Sequence, residues 1–485
     1  LIGIWAAIAG IEQFNGTESL HRPIVSGLVI GIILGDIRTG LIAGGTLELV
    51  WMGLVPLAGA QPPNIVIGGI VGVSFAILSK QEPQVAVGIA IPFAIVAQTL
   101  ITLLFTGFSP VMHKADKYAQ EANTKGIDNI NYIGLAILGG FNFLIVFFVI
   151  LLGAEQLQGI VNLVPETLMN GFKVASGMMP AVGFAMLLNI MLKKEYTAFL
   201  IVGFVLAAYL NLDVLADRYE DKTVEKVVDK KVLNKMIWRS LFLQASFNFE
   251  RMQAAGWLHG LLPGLEKIHK NKEDLSKSMK QHMEFFNTHP FLVNFIQGIV
   301  ISMEENKEDI STIRGIKVAT MGPLGGIGDA LFWLTFLPIS AGIGAALALE
   351  GQIAGPIIFL VMFNGVQFAL RYFLTYYGYK TGVSAISTLK ESTQKVSRAA
   401  TILGLTVVGA LIASYINLNL KTVILAGQAK VELQAGVVDK IMPRLLPVCY
   451  TFLMLYLIKK KWSPLALIGL TLAVGIIGSY IPNLL

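Results

Sequence analysis

The sequence predicts an all-α polytopic integral membrane protein, built as two membrane modules with broken or re-entrant helices and a charged, amphipathic helical segment between them. Three observations carry that prediction. Of 485 residues, 54% are hydrophobic and only 14% charged, against about 25% charged in a typical soluble domain. Mean hydropathy is +0.67. The charges that are present cluster: residues 217–317 hold 16 Lys/Arg and 14 Asp/Glu, whereas residues 1–216 hold 9 and 12.

Along the chain, apolar runs cover residues 24–33, 65–78, 85–105, 132–152, 178–192, 199–215, 353–370, 399–416 and 465–481. Several approach the roughly 20 residues that cross a bilayer. Shorter ones, interrupted by Gly and Pro, fit broken spans, whose freed backbone groups are tolerated only inside protein or along a wet cavity. By length we expect roughly ten to twelve membrane segments. A large soluble protein would not need so many unrelieved apolar runs. The net charge of +6 is no sign of nucleic acid, because basic residues of membrane proteins decorate cytoplasmic loops. By that rule Lys114, Lys117 and Lys125 mark one cytoplasmic loop, Lys193 and Lys194 another, and Lys459, Lys460 and Lys461 a third. The C-terminus then lies outside the cytoplasm. Cys449, alone in an apolar run, is expected to act as a small buried hydrophobe.

Residues 1–216 therefore form the first expected module, 217–317 the charged segment and 318–485 the second module. The junction at Ala216–Asp217 is abrupt: an apolar run passes straight into Asp217-Arg218-Tyr219-Glu220-Asp221-Lys222. Two polypeptides joined in the numbering, or an omitted segment, would look like this. The first residue is Leu1, so a natural start further upstream is expected. Within the charged segment Met236, Ile237, Leu241 and Phe242 recur at helical spacing, and we expect that helix to pack on a membrane module.

Three constellations could carry chemistry. The first runs from Gly44 and Gly45 through Glu48 and Trp51 to Gln61 and Asn64. A carboxylate at mid-membrane costs about 2.5–3.5 kcal/mol, so Glu48 needs a partner or a polar cavity. Gln61 and Asn64 supply amides that both donate and accept, as hydroxyl groups require, and Trp51 offers a flat apolar ring. A binding site and a structural re-entrant hairpin with an internally paired Glu48 stand as equal readings of these residues. The second joins Gly322, Pro323, Gly325, Gly326 and Gly328 to Asp329, Phe332 and Trp333. It lacks the GxxxxGK[ST] pattern and the preceding strand of a nucleotide loop. Two such breaks in two modules point to a transport site between them. The third is a polar cluster, Gln244 to Gln253, in which Glu250 and Arg251 are expected to form an interhelical ion pair. Asn364 and Gln367 share one helix face. Gln13, Asn15, His21 and Arg22 form a polar entrance before Pro23. His282 and His289 are expected to be solvated or capping. The six histidines show no metal-ligand spacing and no nucleophile elbow is visible, so neither metal, cofactor nor catalytic group is expected.

The same motifs carry a resemblance. His21-Arg22-Pro23, Leu34-Gly35-Asp36, Thr39-Gly40, the string from Gly44 to Glu48, the string from Gly59 to Asn64 and Lys114-Ala115-Asp116-Lys117 resemble the IIC subunit of mannose-family phosphotransferase-system permeases. The extension through Leu49-Val50-Trp51-Met52-Gly53 is closest to the N-acetylgalactosamine branch. Phe247-Asn248-Phe249-Glu250-Arg251-Met252-Gln253, the string from Thr320 to Asp329 and Phe332-Trp333 resemble the IID subunit. The resemblance covers essentially the whole chain, except that a further IIC helix is expected after Ala216. It implies a IIC–IID heterodimer assembled as a trimer in the bacterial inner membrane, with an elevator-like movement of the sugar. It further implies phosphorylation by a separate IIB subunit supplied by IIA. Glu48, Gln61 and Asn64 are then expected as hydroxyl and acetamide partners, Trp51 as a stacking wall, and Asp329 and Asn364 as contributions of the second module. A mannose, glucose or sorbose specificity, or a borrowed use as a bacteriocin or phage receptor, are the alternatives.

Overall fold

The computed structural model describes residues 1–52, 63–80, 85–163, 227–382 and most of 402–480, with isolated positions between 178 and 200. The described chain is helical apart from one small antiparallel hairpin, β1 (Val423–Ala426) with β2 (Ala429–Glu432). Sequence patterning had not indicated these strands. Among the described residues, Ala90–Gln120, Thr124–Gly153, Ile310–Leu349 and Ala354–Thr381 are long and apolar enough to cross a membrane, and several apolar helices are shorter.

The first part comprises α1 (Ile2–Glu12), α2 (Pro23–Leu34), α3 (Ile37–Trp51), α4 (Ile65–Leu78), α5 (Val85–Phe108), α6 (Val111–Gln120) and α7 (Thr124–Leu163). Pro23 opens α2 where its missing N–H is an orphan anyway. Gly35 closes it in the left-handed conformation, and Asp36 caps α3 through Thr39 N–H at 3.0 Å. The α2–α3 hairpin is tight enough that a Cβ on Gly27 would lie 2.4 Å from the Gly40 carbonyl oxygen. Small residues are how helices approach closely where lipid supplies no hydrophobic drive.

The second part comprises α8 (Lys230–Ser240), α9 (Ala254–Ile268), α10 (Lys272–His282), α11 (Val293–Glu305), α12 (Ile310–Gly328), α13 (Leu337–Leu349), α14 (Ala354–Thr381), α15 (Leu445–Lys459) and α16 (Pro464–Tyr480). The charge boundary near residue 317 falls inside α12. The expected break around Gly322 and Pro323 is not a break. Residues 310–349 form one continuous helix in which Asp329–Phe336 is wound as a π-helix. Pro323 sits inside α12 on an exposed face.

The charged segment is not a solvated spacer. Met236 and Ile237 of α8 are buried as the spacing predicts, and α9 is buried from Ala254 to Leu265. Its charges reach across to the first part. Arg239 donates through both terminal nitrogens to Asp128, at 3.0 and 2.9 Å. His259 meets the same carboxylate at 2.7 Å, and Arg251 pairs with Asp116. The expected Glu250–Arg251 contact exists at 3.4 Å, secondary to that cross-part pair. Ser246 donates to Asn131 at 2.8 Å. Asp116 lies on α6 beside Lys114 and Lys117, so this seam adjoins the loop that the sequence reading expects to be cytoplasmic.

His282 and His289 are both buried, so the solvated half of the expectation fails, while His289 accepts from Phe291 N–H at 3.3 Å just ahead of α11, in keeping with the capping half. His289 stacks on Phe332 with centroids 5.3 Å apart, within an aromatic cluster that includes Phe291, Trp333 and Phe363. His282 accepts from the Trp257 indole N–H at 3.3 Å and faces Glu304 at 3.1 Å. Cys449 is exposed rather than buried. Leu144, Phe148, Leu151 and Leu152 on α7, and Val361 and Phe373 on α14, are also exposed. An apolar outer surface of that kind is what lipid covers.

Candidate functional site

Polar groups at membrane depth must be paired or face a wet space, and they mark function more often than exposed ones. Among the described residues, a dense set lies on the connector between α1 and α2, residues 13–22. It is built from both ends. The Glu12 carboxylate, at the last position of α1, accepts from Thr17 Oγ1 at 2.5 Å and from Ser19 N–H at 2.6 Å. Its second oxygen accepts from His21 N–H and meets the His21 ring, both at 2.8 Å. One carboxylate thereby folds the connector around itself. Glu18 adopts a positive φ of 51°, a conformation uncommon outside glycine.

Glu48 is fully buried and paired with Arg22, whose Nε donates to its Oε1 at 2.8 Å. Its Oε2 has only a long 3.4 Å contact, from Ile24 N–H. A carboxylate offers about four lone-pair sites, so that oxygen retains capacity. Trp51 is also fully buried, its ring lying over α4. A Cβ on Gly68 would come within 2.6 Å of it, so neither ring face is open here. Asn64 caps α4 by accepting from Ile67 N–H at 2.8 Å. Its Nδ2 donates to Gln13 Oε1 at 3.0 Å. Gln61 lies outside the described residues.

The second part reaches the connector through α14. Asn364 Oδ1 accepts from Ser19 Oγ at 3.1 Å and from Gln367 Nε2 at 2.8 Å. Gln367 Nε2 also donates to the Thr17 carbonyl at 2.8 Å. Behind them the buried Arg371 donates from Nε to Gln367 Oε1 at 3.2 Å. Its Nη1 donates to Ser240 Oγ at 3.1 Å and Asn294 Oδ1 at 3.2 Å. Its guanidinium carbon also sits 5.1 Å from the Phe291 ring centre.

The structure thus gathers Glu48, Asn64 and Asn364 around one connector, with Trp51 immediately behind. Asp329 stands apart. It opens the π-helix, is half-buried, and has no hydrogen-bond or ion-pair partner among the described residues. Sequence reasoning singled out Gln13, His21 and Arg22 as a polar entrance but missed Glu12, Thr17, Ser19 and Arg371. A lone acid closing an apolar helix and a lone arginine deep in an apolar span were the signals available for two of them.

A helical membrane protein with a folded polar connector shared between two parts has the build of a transporter of polar solutes. Comparison with known proteins narrows this. Residues 1–217 match the model of the phosphotransferase-system sorbose-specific IIC component. Residues 227–484 match that of the mannose/fructose/sorbose-family IID component. The mannose-specific EIID component of Escherichia coli (strain K12) is 36% identical over 268 residues, covering 53% of this chain and 95% of that protein. The N-acetylgalactosamine permease IIC component 1 of the same organism is 37% identical over 208 residues, covering 43% of this chain and 78% of the relative. Its putative IIC component 2 is 57% identical over 115 residues, covering 24% of this chain and 86% of the relative. The chain belongs to the mannose/fructose/sorbose family of phosphotransferase-system permeases, carrying a IIC-like part followed by a IID-like part. It is a sugar permease of the bacterial inner membrane.

Proposed function

We propose that this permease carries N-acetylgalactosamine, and that a separate cytoplasmic IIB subunit, supplied with phosphate by IIA, phosphorylates the sugar at its 6-hydroxyl. The observation that carries the placement is the convergence of Arg22–Glu48, Asn64–Gln13 and Ser19–Asn364 on one connector. Fixed charges behind neutral amides and hydroxyls suit an uncharged polyol, which needs many directed hydrogen bonds and no counter-charge. The sugar set comprises Asn64 with Gln13, Asn364, Glu48 through Oε2, and Gln61. Trp51 acts as the apolar wall once α4 shifts from it, and Asp329 contributes from the IID-like part. The IIC-like and IID-like parts act as one unit of a trimer, and the sugar crosses by an elevator-like movement of the unit that holds it. Phosphorylation drives uptake because the charged product cannot return.

Support for the branch comes from the Trp51-Met52-Gly53 and Gln61-Pro62-Pro63-Asn64 strings and from the two N-acetylgalactosamine IIC relatives. A mannose- or sorbose-type specificity is favoured by the sorbose-specific IIC model and the mannose-specific IID relative. Calorimetric titration of the purified complex with N-acetylgalactosamine, galactosamine, mannose and glucose decides between them. Selective binding of N-acetylgalactosamine is expected; preference for mannose or glucose would keep the family and reject the branch.

A further inference from the structure

Two chains of side-chain amides run toward the connector, one in each part of the protein, and both start from a group that can only donate. In the IIC-like part the start is a backbone N–H. Ile67 N–H donates to Asn64 Oδ1, which leaves Asn64 Nδ2 to donate to Gln13 Oε1. In the IID-like part the start is a guanidinium. Arg371 donates to Gln367 Oε1, which leaves Gln367 Nε2 to donate to Asn364 Oδ1. An amide has an accepting end and a donating end, and neither Arg nor a backbone N–H can accept. The orientation of every amide in each chain is therefore set by its first member. Ser19 Oγ, whose single proton is shared between Thr17 Oγ1 at 3.0 Å and the same Asn364 oxygen at 3.1 Å, ties the second chain to the connector.

Each chain ends with its oxygen consumed and its NH2 group left over. Gln13 Nε2 and Asn364 Nδ2 have no partner among the described residues, and both side chains are half-buried rather than sealed. We infer that these two amides are ligand contacts that present N–H donors only, and that Arg371 and Gln367 are positioning residues that fix this polarity from the IID-like part. The inference rests on the sugar reading above and assigns the hydrogen-bond polarity of its site. A site that offers donors selects ligand groups with free lone pairs: hydroxyl oxygens and, most strongly, an acetamide carbonyl oxygen. It also explains why Asn64, whose oxygen and nitrogen are both engaged, acts through Gln13 rather than on the ligand directly.

The test uses isosteric exchanges in the purified complex. Gln13→Glu and Asn364→Asp keep the oxygen that each chain needs and put in place of the terminal NH2 a second oxygen, which as a carboxylate accepts and cannot donate. Gln367→Glu keeps the acceptor for Arg371 but cannot donate onward. Melting temperature and sugar affinity are read for each. Gln13→Glu and Asn364→Asp should melt with wild type yet lose at least roughly tenfold in affinity, because a binding site deprived of a directed hydrogen bond discriminates strongly. Gln367→Glu should lower both melting temperature and affinity. A lowered melting temperature in the two terminal variants would mean that the chains run the other way and would overturn the inference. Unchanged affinity in both would leave the chains as scaffolding and equally overturn it. If wild type binds none of the four sugars, the sugar reading and the ligand role fall together, while the melting pattern still decides the polarity of the chains.

Discussion

The connector at residues 13–22 and the π-helix at residues 329–336 both interrupt apolar chain, and they treat their polar groups in opposite ways. In the connector a single acid, Glu12, answers two backbone N–H groups, a hydroxyl and an imidazole, and the neighbouring Arg22 is answered by Glu48. In the π-helix Thr335 donates back to the Ala330 carbonyl at 2.8 Å, while Asp329 has no partner among the described residues. A satisfied network holds a shape, because every group removed leaves another stranded. An unanswered carboxylate contributes nothing to holding a shape. It persists where it meets water, a ligand or a moving partner.

That contrast can be broken most severely at the buried ion pair. Glu48→Ala strands the Arg22 charge and should cost about 3–5 kcal/mol of stability, so lost sugar binding in that variant is uninformative alone. Arg22→Met with Glu48→Leu removes both charges and should recover most of the melting temperature. Sugar binding should stay absent from the double variant if Glu48 is also a ligand, and return if it is only a strut. Thermal melting and calorimetry on the same preparations separate the two.

A third buried cluster sharpens the comparison through pH. In α10 and α11, burial pushes the Glu304 carboxyl up, but hydrogen bonds from His269, His282 and Ser278 outweigh it and hold it below the usual carboxylate range. Its contribution is complete above about pH 4.5 and fades only in stronger acid. Burial dominates at His282 and lowers it from its ordinary value of 6.5. The Trp257 N–H bonded to its Nδ1 favours the same neutral form. The unfolded chain then takes up a proton that the folded one refuses, so stability falls as pH drops below about 6.5. Melting temperatures from pH 8 to pH 5 should be level at first and then decline. His282→Gln should flatten the upper part of that decline; an unaltered slope would assign it to other groups.

The smallest effects separate surface seam from site. Arg251→Ala removes a partly exposed pair with Asp116 and should cost under about 1 kcal/mol, less in high salt. Asp329→Asn should leave melting within about 0.5 kcal/mol of wild type, as a partnerless position allows, yet reduce sugar uptake by intact cells. Normal uptake in that variant would remove Asp329 from the site.

Much of this architecture was legible in the residues, for stated reasons. Apolar run length reports directly on spans, and the spacing of Met236 and Ile237 reported the buried face of α8. Glu48 stood out because a lone acid in an apolar helix demands an explanation, and the structure supplies Arg22, a partner 26 positions away. What could not be read was pairing at long range. Nothing local in Asn364, Gln367 or Arg371 announces that they meet Ser19, Thr17 and Ser240. The charged segment was legible only in part for the same reason: the packing of α8 and an ion pair at Arg251 were expected, but the partners Asp116 and Asp128, far off in sequence, were not. Gly322 and Pro323 misled differently, since both sit on an open helical face where their missing side chain and N–H are tolerated.

The π-helix also fixes a phase. A π-turn takes in an extra residue per turn, so everything after Asp329–Phe336 is rotated by about 100° relative to an uninterrupted α-helix. On α13 that rotation brings the Ala345 carbonyl, the Ala348 methyl and, beside them, Leu349 against Gly45 of α3, where the missing side chain lets the two parts approach. Shortening the segment by one residue would turn this face away from α3. The fit between the IIC-like and IID-like parts thus depends on a count of residues as much as on their identity.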